Sequence, residues 1–198
     1  MPKTIEFYFD FGSPTAYLAY KRLKQLEQQY SCVIEYKPVL LGALFKATNN
    51  VSPAMIPTKG KYMMMHDLPR FAKRYDVEFM MNQHFPINTL PLMRGAHAAI
   101  KMGCFDLYCE AIFSGIWQTG KDLGDKEVIA KVLEENSINA NELLSLVQSS
   151  EIKESLLVLT QEAIDRELFG VPTLFLEGEM FFGQDRLDFL EERLMVSS

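Results

Sequence analysis

The sequence predicts an α/β fold in which a small sheet is interrupted by a large block of helices. Three observations carry this reading. A strand, a helix and a second strand follow one another at the N-terminus; a long run of helical periodicity comes next; and strand character returns only near the C-terminus, as a hairpin before a last helix.

The first strand is the apolar, aromatic-rich run Ile5 to Phe9. Ser13 followed by Pro14 starts a helix, the hydroxyl capping free N–H groups and the proline ring needing none. Along that helix Ala16, Ala19, Tyr20, Leu23, Leu26 and Tyr30 recur at helical spacing, whereas Lys21, Lys24, Gln25 and Gln28 fall on the opposite, solvated face. The Ser13 hydroxyl therefore lies at the positive end of a helix dipole, where an anion is stabilised. An N-cap serine satisfies backbone donors whether or not it does chemistry, so both roles stay open for it at this point.

Cys32, Ile34 and Tyr36 alternate with polar or outward positions up to Pro38 and mark a second strand, parallel to the first with a right-handed crossover. Leu40 to Thr58, with Gly42, Asn49, Asn50, Ser52, Pro53 and Pro57, reads as a long irregular connection, followed by Lys59-Gly60. Lys61 to Tyr75 is helical with Tyr62, Met65, Leu68 and Ala72 near one face, and Pro69 should kink or divide it. The Met63-Met64-Met65 and Met80-Met81 clusters suit a core or an adaptable apolar pocket. After the loop His84 to Pro91, helices are expected over 92–102, 106–118, 126–135, 140–148 and 152–168, with Asp106 and the Asn139/Glu142 pair as starts. Thr173 to Leu176 and Met180 to Phe182 form the hairpin around Glu177-Gly178-Glu179, and Gln184-Asp185 opens a last helix with the stripe Leu187, Leu190 and Leu194.

Composition bounds the function. The 198 residues are 48% hydrophobic, enough for one sizeable core. A net charge of −6, without a dense basic run, argues against nucleic acid. No signal-peptide pattern precedes the first strand and no apolar run reaches membrane-spanning length, so a cytoplasmic protein with no membrane partner is expected. Cys32, Cys104 and Cys109 form no C-x-x-C pair, and His66, His84 and His97 are scattered, so neither a disulfide framework nor a metal site is suggested.

The element order, with helices inserted in the middle, resembles the thioredoxin order. Gly170-Val171-Pro172-Thr173 resembles the turn whose proline is cis in thioredoxin-like folds, and Ser13-Pro14-Thr15-Ala16 stands in the place of their C-x-x-C. The insertion is similar to that of the DsbA disulfide oxidoreductases, but both cysteine positions are vacant, which removes dithiol exchange. A closer resemblance spans essentially the whole chain: the 2-hydroxychromene-2-carboxylate isomerases and the related kappa-class glutathione transferases. It is carried by Phe9-Asp10-Phe11-Gly12-Ser13-Pro14 with Tyr17-Leu18-Ala19, Tyr36 to Gly42, Asn50 with Pro57 to Met63, Phe85 to Leu90 with Met93-Arg94, Phe169 to Thr173, and Phe182 to Arg186. The Phe85 to Leu90 loop is more similar to the isomerases, and Thr15-Ala16 departs from the bulkier or hydroxylated residues of many relatives.

The resemblance implies a thioredoxin-like fold over 1–45 and 169–198 with an all-helical insertion over 46–168, a cis Pro172, glutathione as cofactor and a homodimer. It implies that Ser13 donates to the glutathione thiolate at the helix mouth and that the Val171 backbone, posed by Pro172, pairs with the cysteinyl main chain. Gln184 and Asp185 would hold the γ-glutamyl end, and Asn50 and Lys59 the glycyl end. Lys37 and Asn88 are weaker candidates for the carboxylate of an aromatic or enone acid substrate. The implied reaction is reversible thiolate addition, rotation and elimination, a cis-trans isomerisation that regenerates the thiol. A kappa-like transferase or peroxidase that consumes glutathione, and a non-enzymatic thioredoxin-like binding module, are the alternatives.

Overall fold

Both faces of the first strand, β1 (Thr4–Phe9), are buried, which explains its nearly continuous apolar sequence. In the computed structural model, which describes residues 2–195, β1 lies inside a four-stranded sheet of order β2-β1-β3-β4. β2 (Val33–Pro38) runs parallel to it, with Phe7 opposite Tyr36, as expected for the strand, helix, strand unit. β3 (Thr173–Leu176) runs antiparallel on the other side, with Tyr8 opposite Thr173, and β4 (Glu179–Phe182) completes the hairpin. Its two-residue turn has φ of 54° at Glu177 and 85° at Gly178, both in the left-handed region that such a tight connection requires.

On one face Ile5, Phe7 and Phe9 pack beneath α1 (Pro14–Gln29), which buries Ala16, Ala19, Tyr20, Leu23 and Leu26 as the spacing predicts. On the opposite face Tyr8, Val39, Leu44, Ala163, Val171 and Phe175 form a smaller cluster. α2 (Leu41–Ala47) and α9 (Ser150–Asp165) contribute Leu44 and Ala163 to it. Glu6 is the one charged side chain in β1. It binds the Arg166 guanidinium through both oxygens, and that guanidinium also donates to Tyr8 Oη at 2.6 Å and lies 3.8 Å from the centre of the Phe175 ring. Arg166 thus pairs the charge and covers apolar surface together.

The stretch from residue 40 to 58 is less irregular than its composition suggests. It forms α2, a 3-10 turn at Pro53–Met55, and the start of α3 (Pro57–Tyr62). Pro69 does not break the next helix. A π-helical segment at Met63–Asp67 joins α3 to α4 (Leu68–Arg74), with Leu68 N–H reaching back to Met63 O, so the chain stays helical where Pro69 lacks a donor. The wider turn also rotates the face: Leu68 and Ala72 are buried as predicted, but Tyr62 and Met65 are exposed.

The remaining helices are α5 (Leu90–Met102), α6 (Phe105–Trp117), α7 (Lys126–Glu135), α8 (Ala140–Leu146) and α10 (Leu187–Met195). α9 ends three residues before the predicted 168, because Glu167 takes a positive φ of 63°. Met93, Ile112, Phe113, Ile129 and Leu143 from these helices belong to the same apolar cluster as Phe7 and Leu23, so helical block and sheet share a core. His97 on α5 ties the two together through a 3.0 Å hydrogen bond from its ring to Pro38 O, at the end of β2; burial pushes its pKa down and keeps the ring neutral. No described helix is long and apolar enough to cross a membrane.

The Arg166 cluster generates a pH-dependent prediction. Hydrogen bonding to Arg166 holds the Glu6 pKa below the ordinary glutamate range, so its stabilisation is present above that range and is lost as pH falls through the folded-state value. Denaturant unfolding of wild type and Arg166→Leu should differ by about 1 kcal/mol at neutral pH, and the gap should narrow below pH of about 4, leaving the part that Arg166 owes to Tyr8 and Phe175. A gap that grows on acidification would contradict the pairing.

Candidate active site

Ser13 is placed by the turn between β1 and α1, and that turn is built around the carboxylate of Asp10. Asp10 is only 2% exposed. Its Oδ1 accepts from Gly12 N–H at 2.9 Å and its Oδ2 from Leu41 N–H at 2.9 Å, which joins the turn to the start of α2. Thr89, at the N-terminus of α5, packs against the same turn, its Cγ2 only 3.0 Å from where a Cβ on Gly12 would stand. The neighbouring backbone is held as well: Trp117 Nε1 donates to Phe11 O at 2.7 Å, and Ser13 N–H donates to Asp10 O at 3.0 Å. Four segments distant in sequence thereby fix the mouth of α1.

Ser13 caps α1 as predicted, its Oγ accepting from Ala16 N–H at 3.1 Å. The same oxygen lies 2.9 Å from Thr15 Oγ1 and 3.3 Å from Val171 O. Val171 precedes Pro172 through a cis peptide bond, as the turn motif implies. Among the described residues the Val171 N–H has no hydrogen-bond partner, although Pro172 O accepts from Gly183 N–H at 2.9 Å. The helix mouth therefore faces a backbone N–H with no partner just before β3, a group that an added peptide strand can pair with.

These groups line a cleft of about 390 Å³, within the range of small-molecule sites. Ser13, Thr15, Val171 and Pro172 form its floor. One wall comes from the segment after α2, with Asn50, Pro53, Ala54 and Gly60; another is apolar, with Met63, Met64, Leu68, Phe71 and Met81. Phe169 and Phe182, with ring centres 4.5 Å apart, stand at the rim beside Gln184 and Asp185. Gly183 has φ of 97° and ψ of 153°, a backbone region that side chains disfavour, and this turns the chain from β4 into Gln184. Tyr75 anchors that turn: its hydroxyl donates to Gln184 O at 2.6 Å, and burial raises its pKa to about 12.

The sequence-predicted residues divide into two groups. Ser13, Asn50, Val171, Pro172, Gln184 and Asp185 all line the cleft. Asn50 Nδ2 donates to Phe169 O at 3.1 Å, and Asp185 pairs with Arg186 at 2.6 Å. Lys59, Lys37 and Asn88 are not brought in. On α3 it is Gly60 that lines the cleft, while Lys59 borders an adjoining shallow depression with Thr58 and Tyr62 that shares Pro53 and Met63 with it. Lys37 pairs along β2 with Glu35, and the Asn88 side chain accepts from Leu90 N–H at 3.2 Å in the lead into α5. No lysine or arginine is among the described lining residues.

Sequence reasoning missed Asp10, Thr15 and the buried Asn82. Asn82 pins the loop before α5, donating to Ile116 O at 3.0 Å and Lys121 O at 2.9 Å and accepting from His84 N–H at 2.8 Å. An aspartate amid Phe9 and Phe11 was a usable signal, since a carboxylate in an apolar run needs donors. Asn82 carried no comparable signal.

Comparison with known proteins places this geometry in context. Residues 4–195 match the family model described as a DSBA-like thioredoxin domain. The chain is 34% identical to a 2-hydroxychromene-2-carboxylate isomerase of Sphingobium xenophagum, over 98% of this chain and 100% of that one. It is 24% identical to glutathione S-transferase kappa 1 of Rattus norvegicus, over 96% of this chain and 89% of the relative. Among solved structures, a selenomethionine 2-hydroxychromene-2-carboxylate isomerase superimposes with a TM-score of 0.89 at 30% identity, covering 98% of this chain and 95% of that chain.

The Asp10 clamp generates a stability prediction. Asp10→Ala should cost at least about 2 kcal/mol, because two buried N–H groups lose their acceptor. Burial raises the Asp10 pKa, so its favourable contribution is fully present below the unfolded-state value and is lost as pH rises through the folded-state value. The margin of wild type over Asp10→Asn, measured by denaturant unfolding, should therefore narrow from acid to neutral pH. A widening margin would show that the donors outweigh burial.

Proposed function

Because this chain belongs to the DSBA-like thioredoxin domain family and, within it, to the 2-hydroxychromene-2-carboxylate isomerase family, we propose that it is a glutathione-dependent cis-trans isomerase of 2-hydroxychromene-2-carboxylate or a close analogue, giving a trans-o-hydroxybenzylidenepyruvate-like product. The single observation that carries the proposal is the juxtaposition at the helix mouth. A hydroxyl and the Val171 backbone lie side by side on the floor of a small-molecule cleft, at the position where a dithiol would stand, and Ser13 and Ala16 occupy the two cysteine positions.

The residues present fit glutathione. Val171 offers an unpaired N–H and a carbonyl to a cysteinyl main chain. Asn50 keeps one amide N–H for the glycyl carboxylate, and Asp185 offers its carboxylate to the γ-glutamyl ammonium beside Gln184. Bound there, glutathione supplies a thiolate able to add reversibly to a conjugated enone. Ser13 supports that state by donating its hydroxyl to the sulfur, and the α1 dipole favours negative charge at the same point. Met63, Met64, Phe71 and Met81 give the aromatic part of the substrate an apolar, deformable wall that excludes water. With no cation lining the described cleft, backbone N–H groups and the helix terminus remain to meet substrate charge.

The test is a mass balance. Isomerisation of a 2-hydroxychromene-2-carboxylate should require glutathione, and all of the thiol should be recovered free after many turnovers. Thiol loss matching product formation would instead establish a kappa-like transferase or peroxidase. Binding without turnover would establish a binding module.

Ser13→Ala separates chemistry from capping. It should raise the pKa of bound glutathione and slow the reaction at neutral pH, with part of the rate returning at higher pH. Loss of the cap should also cost about 0.5 to 2 kcal/mol of stability. Lowered stability with an unchanged thiolate titration would confine Ser13 to a structural role.

A further inference from the structure

We infer that Thr15 is a positioning residue for Ser13: its hydroxyl donates to Ser13 Oγ and so directs the serine proton out of the helix mouth, toward a bound sulfur. The inference rests on the reading of Ser13 as the donor to glutathione, and it follows from counting hydrogen-bond capacity around one oxygen. Ser13 Oγ carries one proton and two lone pairs. Ala16 N–H occupies one lone pair at 3.1 Å. Thr15 Oγ1 lies 2.9 Å away and Val171 O lies 3.3 Å away, and a carbonyl only accepts. If Ser13 donated to Thr15, it would have no proton left for Val171 or for a ligand. If Thr15 donates, all three capacities are used at once, and the serine proton makes the longest contact of the set.

That longest contact is the one a ligand displaces at least cost. When the Val171 backbone pairs with a peptide-like ligand, the Ser13 proton turns to the sulfur while both bonds that Ser13 accepts stay in place. Each of those bonds draws charge from the serine oxygen and makes its O–H a stronger donor, a cooperative effect of about 10 to 30% per bond. Thr15 has no other described side-chain partner, lines the same cleft and sits in the first turn of α1, where its backbone is fixed. The charged groups lining the cleft are Asp67 and Asp185, with Asp10 buried behind the turn, and the side chain of none of them is hydrogen bonded to either hydroxyl. The hydroxyl pair is therefore the local control on thiolate stability that a conservative substitution can remove alone.

The experiment is ultraviolet titration of glutathione bound to wild type, Thr15→Val, Thr15→Ser, Ser13→Ala and the Ser13→Ala/Thr15→Val double variant, with unfolding midpoints confirming that each is folded. Ser13→Ala should raise the pKa of the bound thiol by about 1 to 2. Thr15→Val, which keeps the shape and removes the hydroxyl, should raise it by about 0.2 to 0.5. Thr15→Ser should restore the wild-type value, and the double variant should match Ser13→Ala alone. A shift with Ser13→Ala but none with Thr15→Val overturns this inference and leaves the Ser13 reading standing. A further rise in the double variant overturns it too, because Thr15 would then touch the sulfur itself. No shift with Ser13→Ala overturns the parent reading, and this inference with it.

Discussion

The buried carboxylate of Asp10 decides where the β1–α1 turn lies, and each functional feature of the cleft is measured from that turn. Its two oxygens hold backbone N–H groups from Gly12 and Leu41, elements brought together only by folding. Burying a carboxylate is costly unless donors surround it. The turn and the start of α2 are therefore tied to each other, and that tie aims the N-terminus of α1 at Val171. The proposed chemistry, which relies on a helix dipole and the Ser13 hydroxyl, needs such rigidity, since neither works from the wrong distance.

The cleft lies in a DSBA-like thioredoxin fold yet no described cysteine lines it. Cys32 and Cys109 are buried and Cys104 is partly so; none lines the cleft. Burial raises the pKa of all three, most strongly at Cys109, which makes them poor nucleophiles. Sulfur chemistry at the helix mouth therefore needs a thiol brought from outside, which is why the open Val171 backbone and the hydroxyl pair of Ser13 and Thr15 carry the functional argument. The Met-rich wall differs in kind: it supplies shape and exclusion of water instead of charge.

Much of this was legible in the sequence because the signals were local. Ser13-Pro14 announces a capped helix, the spacing of Leu187, Leu190 and Leu194 announces an amphipathic one, and Glu177-Gly178 announces a hairpin. What stayed hidden depends on long-range contact. The composition of residues 40–58 reads as loop, yet Leu44 finds Tyr8 and Ala163 to pack against, and tertiary burial wins over propensity. Tyr62 and Met65 were expected to be buried, but the π-helical segment ahead of Pro69 turns them outward. Lys59, Lys37 and Asn88 lie near the right stretches of chain, but which side of α3 or β2 meets the cleft is fixed by packing that no local spacing encodes. The pairing of Thr15 with Ser13 is invisible for a subtler reason, since residues two apart in a helix do not normally face each other and do so here only at the first turn.

The central claim, that the mouth of α1 and the Val171 backbone together hold a glutathione sulfur, is tested most directly by a crystal structure of the complex with glutathione. The account predicts the sulfur within hydrogen-bonding distance of Ser13 Oγ, and the cysteinyl main chain of the ligand paired with Val171 in place of the present Ser13 to Val171 contact. Glutathione bound elsewhere, or in this cleft with its sulfur pointing away from Ser13 and Val171 still unpaired, would contradict it.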